Sequence, residues 1–170
     1  MKPYYQGALD SICAIYSIVN ATRMIAGIND NEARLLFRRI LAYLEKTRDL
    51  SMVLTEGIGL KTIGGILKDV VRDKIRHRNI PFKHHPDTAL DEFWTAMAEF
   101  LEGGDHRAIL IGLGGPAWDH WTIIESISDR QIRFFDSHKL KQLNRNRCTT
   151  NRSTSSRPHM LCPTHTYFLS

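Results

Sequence analysis

Between Ser11 and Ala26 apolar residues crowd together, with Ile12, Ile15, Tyr16 and Val19 at three- and four-residue steps and Gly27 behind them. That spacing predicts a largely buried helix, stopped by Gly27 and capped by Asp10 or Ser11. A second run, from Asn29-Asp30 to about Lys46, sets Leu35, Leu36, Ile40, Leu41 and Leu44 against Arg38, Arg39, Glu45 and Lys46. It reads as an amphipathic helix. A third helix is expected from about Lys61 to Arg72, with Ile63, Ile66, Leu67, Val70 and Val71 inward. Ile75–Phe82 has no decisive period and admits a strand. A further helix runs from Thr88 to Leu101, with Leu90, Phe93, Trp94, Met97 and Leu101 on one side and Gly103-Gly104 as its stop.

Beyond Gly104 the period falls to two. Arg107–Leu113 reads as a short apolar strand that ends at Gly114-Gly115-Pro116. His120–Ile127 and Gln131–Asp136 read as two more, joined by a Ser128-Asp129-Arg130 turn. The stretch 144–158, rich in Asn, Arg, Ser and Thr, reads as loop, and His165–Leu169 as a closing strand. Helices first and an antiparallel meander later predict an α+β domain, with N-terminal helices packed on a C-terminal antiparallel sheet. The expected division is a domain over 1–143 and a basic segment over 144–170.

Charge sharpens that division. The chain carries a formal net charge of +5, yet no Asp or Glu follows Asp136, while Lys139, Lys141, Arg145, Arg147, Arg152 and Arg157 do. The rest is close to neutral. A basic tail can meet nucleic acid or an acidic partner. No aromatic residues interleave with these charges as a base-stacking surface needs, so nucleic acid is not the expected partner. No apolar run is long enough to span a membrane and no apolar signal segment follows Met1, so a cytoplasmic protein is expected, or one delivered into a target-cell cytoplasm.

Three cysteines, Cys13, Cys148 and Cys162, make an odd count that argues against a disulfide framework. Cys148, His159, Cys162 and His165 are all of zinc-ligand type, but their spacing matches no common finger, so neither metal nor cofactor is expected.

The chemistry lies in four residues. Cys13 falls in the first turn of the first predicted helix, where the helix dipole favours a thiolate nucleophile. A hairpin centred on Ser128 places His120 opposite Asp136; a slip of two residues places it opposite His138 instead. With the carboxylate on Nδ1 of His120, Nε2 would face the thiol in a nucleophile–base–orienter arrangement. Gln6, just ahead of the nucleophile, could join the Cys13 N–H in stabilising an oxyanion. Each residue alone also has a purely structural reading: a core cysteine, a strand-end histidine, a turn acid, a surface glutamine.

The blocks Gln6-Gly7-Ala8-Leu9-Asp10-Ser11-Ile12-Cys13-Ala14, Asp119-His120-Trp121-Thr122-Ile123-Ile124 and Phe134-Phe135-Asp136-Ser137 resemble the papain-like cysteine peptidases, and most closely the peptidases that remove double-glycine leaders from bacteriocins. The resemblance spans about residues 4–137 and implies the papain-like fold. It implies Cys13 as nucleophile, His120 as general base and acid, Asp136 as its orienter and Gln6 as oxyanion-hole residue. Two features depart from the family pattern. Ser11-Ile12 and Ala14 flank the cysteine, and Gln6 stands seven residues ahead of it rather than six. Trp118 and Trp121 bracket His120 and are candidates to roof the cleft and shield the His–acid bond.

The function this implies is a cysteine endopeptidase that cuts a protein substrate after small residues, Gly-Gly above all. A delivered bacterial toxin or effector with a dedicated inhibitor protein fits its size. A deamidase, transglutaminase or amidase would use the same three residues, and a non-enzymatic module with a basic tail would use none of them.

Overall fold

The first helix, α1 (Cys13–Ala26), has ten buried residues and ends at Gly27, whose φ of 63° is left-handed. Gly27 closes it as the sequence predicts, but its N-cap is Ile12 with no side-chain cap bond, so neither Asp10 nor Ser11 has that role. The second helix, α2 (Asp30–Thr47), begins with a capping box between Asn29 and Glu32. It buries Ala33, Leu36, Ile40 and Leu44. Leu35, expected inward, is 59% exposed, because the strict three-and-four step from Ala33 passes it by.

A short helix, α3 (Leu50–Glu56), follows at an Asp49 cap, and then α4 (Leu60–Asp69). The sequence reading has no counterpart to α3, which buries only Val53 and so has little amphipathic signal. α4 stops three residues sooner than expected; Val70, Val71 and Ile75 are still buried beyond it. After the two-residue strand β1 (Arg78–Asn79) comes α5 (Leu90–Glu102), with Phe93, Trp94 and Met97 inward.

The structure is a computed structural model that describes residues 1–116 and 119–170. Among these residues the remaining elements are β2 (Ala108–Gly114), β3 (His120–Ile127), β4 (Gln131–Phe134), β5 (Gln142–Asn144), a 3₁₀ turn (Arg145–Arg147), β6 (Cys148–Thr149) and β7 (His159–Leu169). They form one sheet in the order β1-β7-β2-β3-β4-β5, with β6 beside β7. All pairings are antiparallel except β6 with β7. The chain is α+β.

β2 explains the layering. Ala108 and Leu110 join α1, α2 and α4 in one apolar cluster, while Ile109, Ile111 and Leu113 join α5 in another. Alternate side chains point to opposite faces of a strand. Helices cover both faces, which is why β2 reads as a continuous apolar run instead of an alternating one. The segment 144–170 contributes β7, which lies between β1 and β2 inside the sheet. Among the described residues no single helix is long and apolar enough to cross a membrane.

Candidate active site

Cys13 is the first residue of α1. The N–H groups of Ile15 and Tyr16 close on the Ile12 carbonyl, leaving those of Cys13 and Ala14 outside the helical ladder. A polar atom in front of the thiol therefore meets backbone donors and the positive end of a buried helix. The Trp121 N–H donates to Cys13 Sγ at 3.4 Å, which ties the start of α1 to β3. Four residues on, the Ser17 hydroxyl donates to the Trp121 carbonyl at 2.9 Å.

β3 carries His120 as its first residue, and the strand register differs from a hairpin centred on Ser128. Ile124 pairs with Phe134, a displacement of two residues, and an irregularity separates this pair from Ser126↔Arg133. The ladder then ends at Phe134. Asp136 reaches His120 from the loop that follows: His120 Nε2 and Asp136 Oδ2 are 2.5 Å apart. The slip brings His138 towards His120 as well, their rings edge to face at 5.9 Å. The expected orientation of the imidazole is thus reversed. Nε2 meets the carboxylate, and Nδ1 is left for the cysteine, whose thiol is a second hydrogen-bond partner of His120.

The loop curls around the acid. His138 and Leu140 N–H donate to Asp136 Oδ1 at 2.7 and 2.8 Å, and Lys139 takes a left-handed φ of 66° to make that possible. Burial alone would raise the Asp136 carboxyl; the bond and charge of His120, with the Leu140 amide, outweigh it and hold it below the usual range. Burial likewise opposes the His120 imidazolium. Hydrogen bonds to Asp136 and Cys13, and their negative charges, overcome it and push its pKa up from 6.5 to about 9. At neutral pH the imidazole is therefore protonated.

Gln6 sits on the rim, held from three directions. Its N–H donates to the Ser137 carbonyl at 3.0 Å, and its side-chain Nε2 donates to the Asp10 carbonyl at 2.5 Å. Two residues earlier, buried Asn20 of α1 bonds both the N–H and the carbonyl of Tyr4, at 2.9 and 3.2 Å. An amide nitrogen carries two protons, so one remains beyond the Asp10 bond. Gln6 Oε1 is buried with no hydrogen-bond partner among the described residues.

Gln6, Asp10, Ser11, Cys13, Asp119, His120, Trp121 and His138 line one cleft of about 460 Å³, whose remaining wall is Thr55–Ile58 at the end of α3. That wall is fastened to the segment just ahead of Cys13. Ser11 N–H donates to the Leu54 carbonyl at 2.8 Å. Gly57 has a φ of +78°, and a Cβ there would lie 2.6 Å from the Ser11 carbonyl oxygen.

Cys13, His120, Asp136 and Gln6 therefore come together. Trp121 also lines the cleft, but its indole belongs to the core beneath α1 and lies 6.1 Å from the ring of His165. Trp118 lies outside the described residues. Cys148, His159 and Cys162 are placed along β6 and β7 with His165, and no group of three or more metal-ligating side chains forms among the described residues. The sequence reading missed Asn20, Glu56 and the cleft role of His138. Asn20 had a signal, a fully polar side chain inside a helix read as buried; Glu56 had none.

Comparison with protein-family models, with curated proteins and with solved structures finds no match to this chain.

Proposed function

We propose that the chain is a papain-like cysteine peptidase that cuts a polypeptide by way of a thioester acyl-enzyme. The observation that carries this reading is the position of His120, bonded at once to Asp136 and to the thiol at the start of α1. A protonated imidazole beside a thiol at a helix start favours a thiolate–imidazolium pair, the reactive form of a cysteine nucleophile.

In this reading Cys13 Sγ attacks the scissile carbonyl carbon. Negative charge develops on the carbonyl oxygen, within reach of the Cys13 N–H and the second Nε2 proton of Gln6. As the tetrahedral intermediate collapses, the C–N bond breaks and His120 gives its proton to the leaving amine. A water molecule then attacks the thioester, His120 takes a proton from it, and the acid product leaves with the thiolate restored. Asp136 keeps the imidazole in one orientation throughout and stays ionised.

The preferred cut follows Gly-Gly, as the resemblance implies. A bacterial effector restrained by an inhibitor protein remains the cellular setting that fits this reading. The test is incubation of wild type and Cys13→Ala with peptides centred on Gly-Gly, followed by intact-mass measurement. Fragments and a thioester adduct on wild type alone are expected. Ammonia release or cross-linked products would turn the reading towards a deamidase or transglutaminase. No reaction with any peptide or protein substrate, together with unimpaired cellular effect of Cys13→Ala, would overturn it.

A further inference from the structure

The catalytic cleft carries charge that Cys13, His120 and Asp136 leave unused. Asp10, Glu56 and Asp119 all line it, and no Lys or Arg does among the described residues. This is not the background of the chain, in which 23 Lys and Arg outnumber 18 Asp and Glu. Asp10 is partly occupied, since Oδ2 accepts from the Gly7 N–H at 2.9 Å. Glu56 and Asp119 are exposed and form no hydrogen bond or ion pair among the described residues. The cation among these residues, His120, is already bonded to the Asp136 carboxylate. A cleft lined by one sign of charge focuses the field and concentrates ligands of the opposite sign. The second observation, independent of the carboxylates, is that Cys13 and His120 line the same cleft, into which the acyl-transfer reading requires that a substrate enter.

We infer that the cleft selects a cationic polypeptide segment, with Glu56 and Asp119 docking Lys or Arg side chains a few residues from the bond held against Cys13. The inference rests on the acyl-transfer reading of that centre for its purpose, but the docking can be measured without turnover. Two carboxylates from separate segments, α3 and the residue ahead of β3, make the preference one for a stretch of chain and not for a single ion.

The experiment uses the full chain with Cys13→Ala and three labelled peptides of equal length. Each has Gly-Gly at its centre, flanked by Lys and Arg, by Ser and Gln, or by Asp and Glu. Binding is read by fluorescence anisotropy at low and high salt. The cationic peptide should bind about 5- to 10-fold more tightly than the neutral one, a gap that high salt closes because exposed charges are screened. Glu56→Gln with Asp119→Asn should remove the gap, whereas Glu45→Gln, on α2 outside the cleft, should leave it. Equal binding of the three peptides, no binding of the cationic one, or a preference indifferent to the Glu56/Asp119 pair would overturn the inference. Retained cation preference, where wild type cuts no peptide or protein substrate, would count against the peptidase reading and still support the docking site.

Discussion

The Trp121 backbone N–H points at Cys13 Sγ from 3.4 Å, across 108 residues of chain. A backbone donor cannot rotate away or be mutated away, so the sulfur has a fixed hydrogen-bond partner whatever the neighbouring side chains do. It also sets the spacing between α1 and β3, and hence between the thiol and His120, the residue just before Trp121. Replacing Ser17, whose hydroxyl holds the Trp121 carbonyl at 2.9 Å, tests that spacing from the other side. Ser17→Ala should lower stability by about 1–3 kcal/mol, the cost of an unsatisfied buried acceptor, and should slow alkylation of Cys13. Urea unfolding and timed mass spectrometry would read the two effects.

Asp136→Asn should leave the fold intact and move the His120 titration down from about 9, because burial remains while the carboxylate that opposed it is gone. A two-dimensional NMR pH titration measures this without any substrate. Turnover, where a substrate is found, should fall by about 10²–10⁴-fold, since the imidazole loses its orienting acceptor. An unmoved His120 titration would mean that Asp136 does not hold the proton.

The pH dependence of stability has a definite sign. The folded-state pKa of His120 lies above its ordinary 6.5, so its contribution is complete below about 6.5 and is lost as pH rises through about 9. That of Asp136 is depressed below its ordinary 3.8, so its contribution is present above that value and fades as pH falls. Thermal unfolding of wild type should therefore weaken between pH 6.5 and about 9 more than that of His120→Ala. Parallel curves would contradict the ion pair.

Iodoacetamide should alkylate Cys13 first. Cys148 is fully buried, its thiol pushed up to about 11 by that burial, and it donates to the Asn144 carbonyl at 3.3 Å. Burial and the nearby Asp119 raise the Cys162 thiol as well. Cys13 alone has an imidazolium and a helix N-terminus beside it. Peptide mapping after brief labelling near neutral pH should find most label on Cys13; equal labelling of the three would count against a nucleophile there.

Gly57→Ala should damage the cleft more than its small size implies. The new methyl would press on the Ser11 carbonyl oxygen, 2.6 Å away, and the φ of +78° is strained for any L side chain. A cost of about 1–3 kcal/mol is expected, together with slower alkylation of Cys13 as the Ser11 segment shifts. An unchanged unfolding midpoint would show that the two segments separate freely.

Most of this molecule's helices are written in local periodicity. Ile12, Ile15 and Val19 mark α1, and Asn29-Asp30 marks the start of α2, because these signals act within a few residues of chain. Cys13 could be placed at a helix start for the same reason. Leu35 and α3 were illegible: an extra apolar residue can point outward at no great cost, and a seven-residue helix with one buried side chain has almost no pattern to show. The pairing of His120 with Asp136 was legible as a coincidence of residue types in neighbouring strands, but the expected route to it was not the real one. An irregularity and a two-residue slip between β3 and β4 leave the acid outside the ladder, and backbone amides of His138 and Leu140 bend its loop back to the imidazole. Which imidazole nitrogen meets the carboxylate, and that Glu56 lines the same cleft as a cysteine 43 positions earlier in the sequence, depended on packing between segments that share no local signal. Local propensity acts over one turn of helix or one strand; a cleft is made where distant segments are forced together by the burial of everything around them.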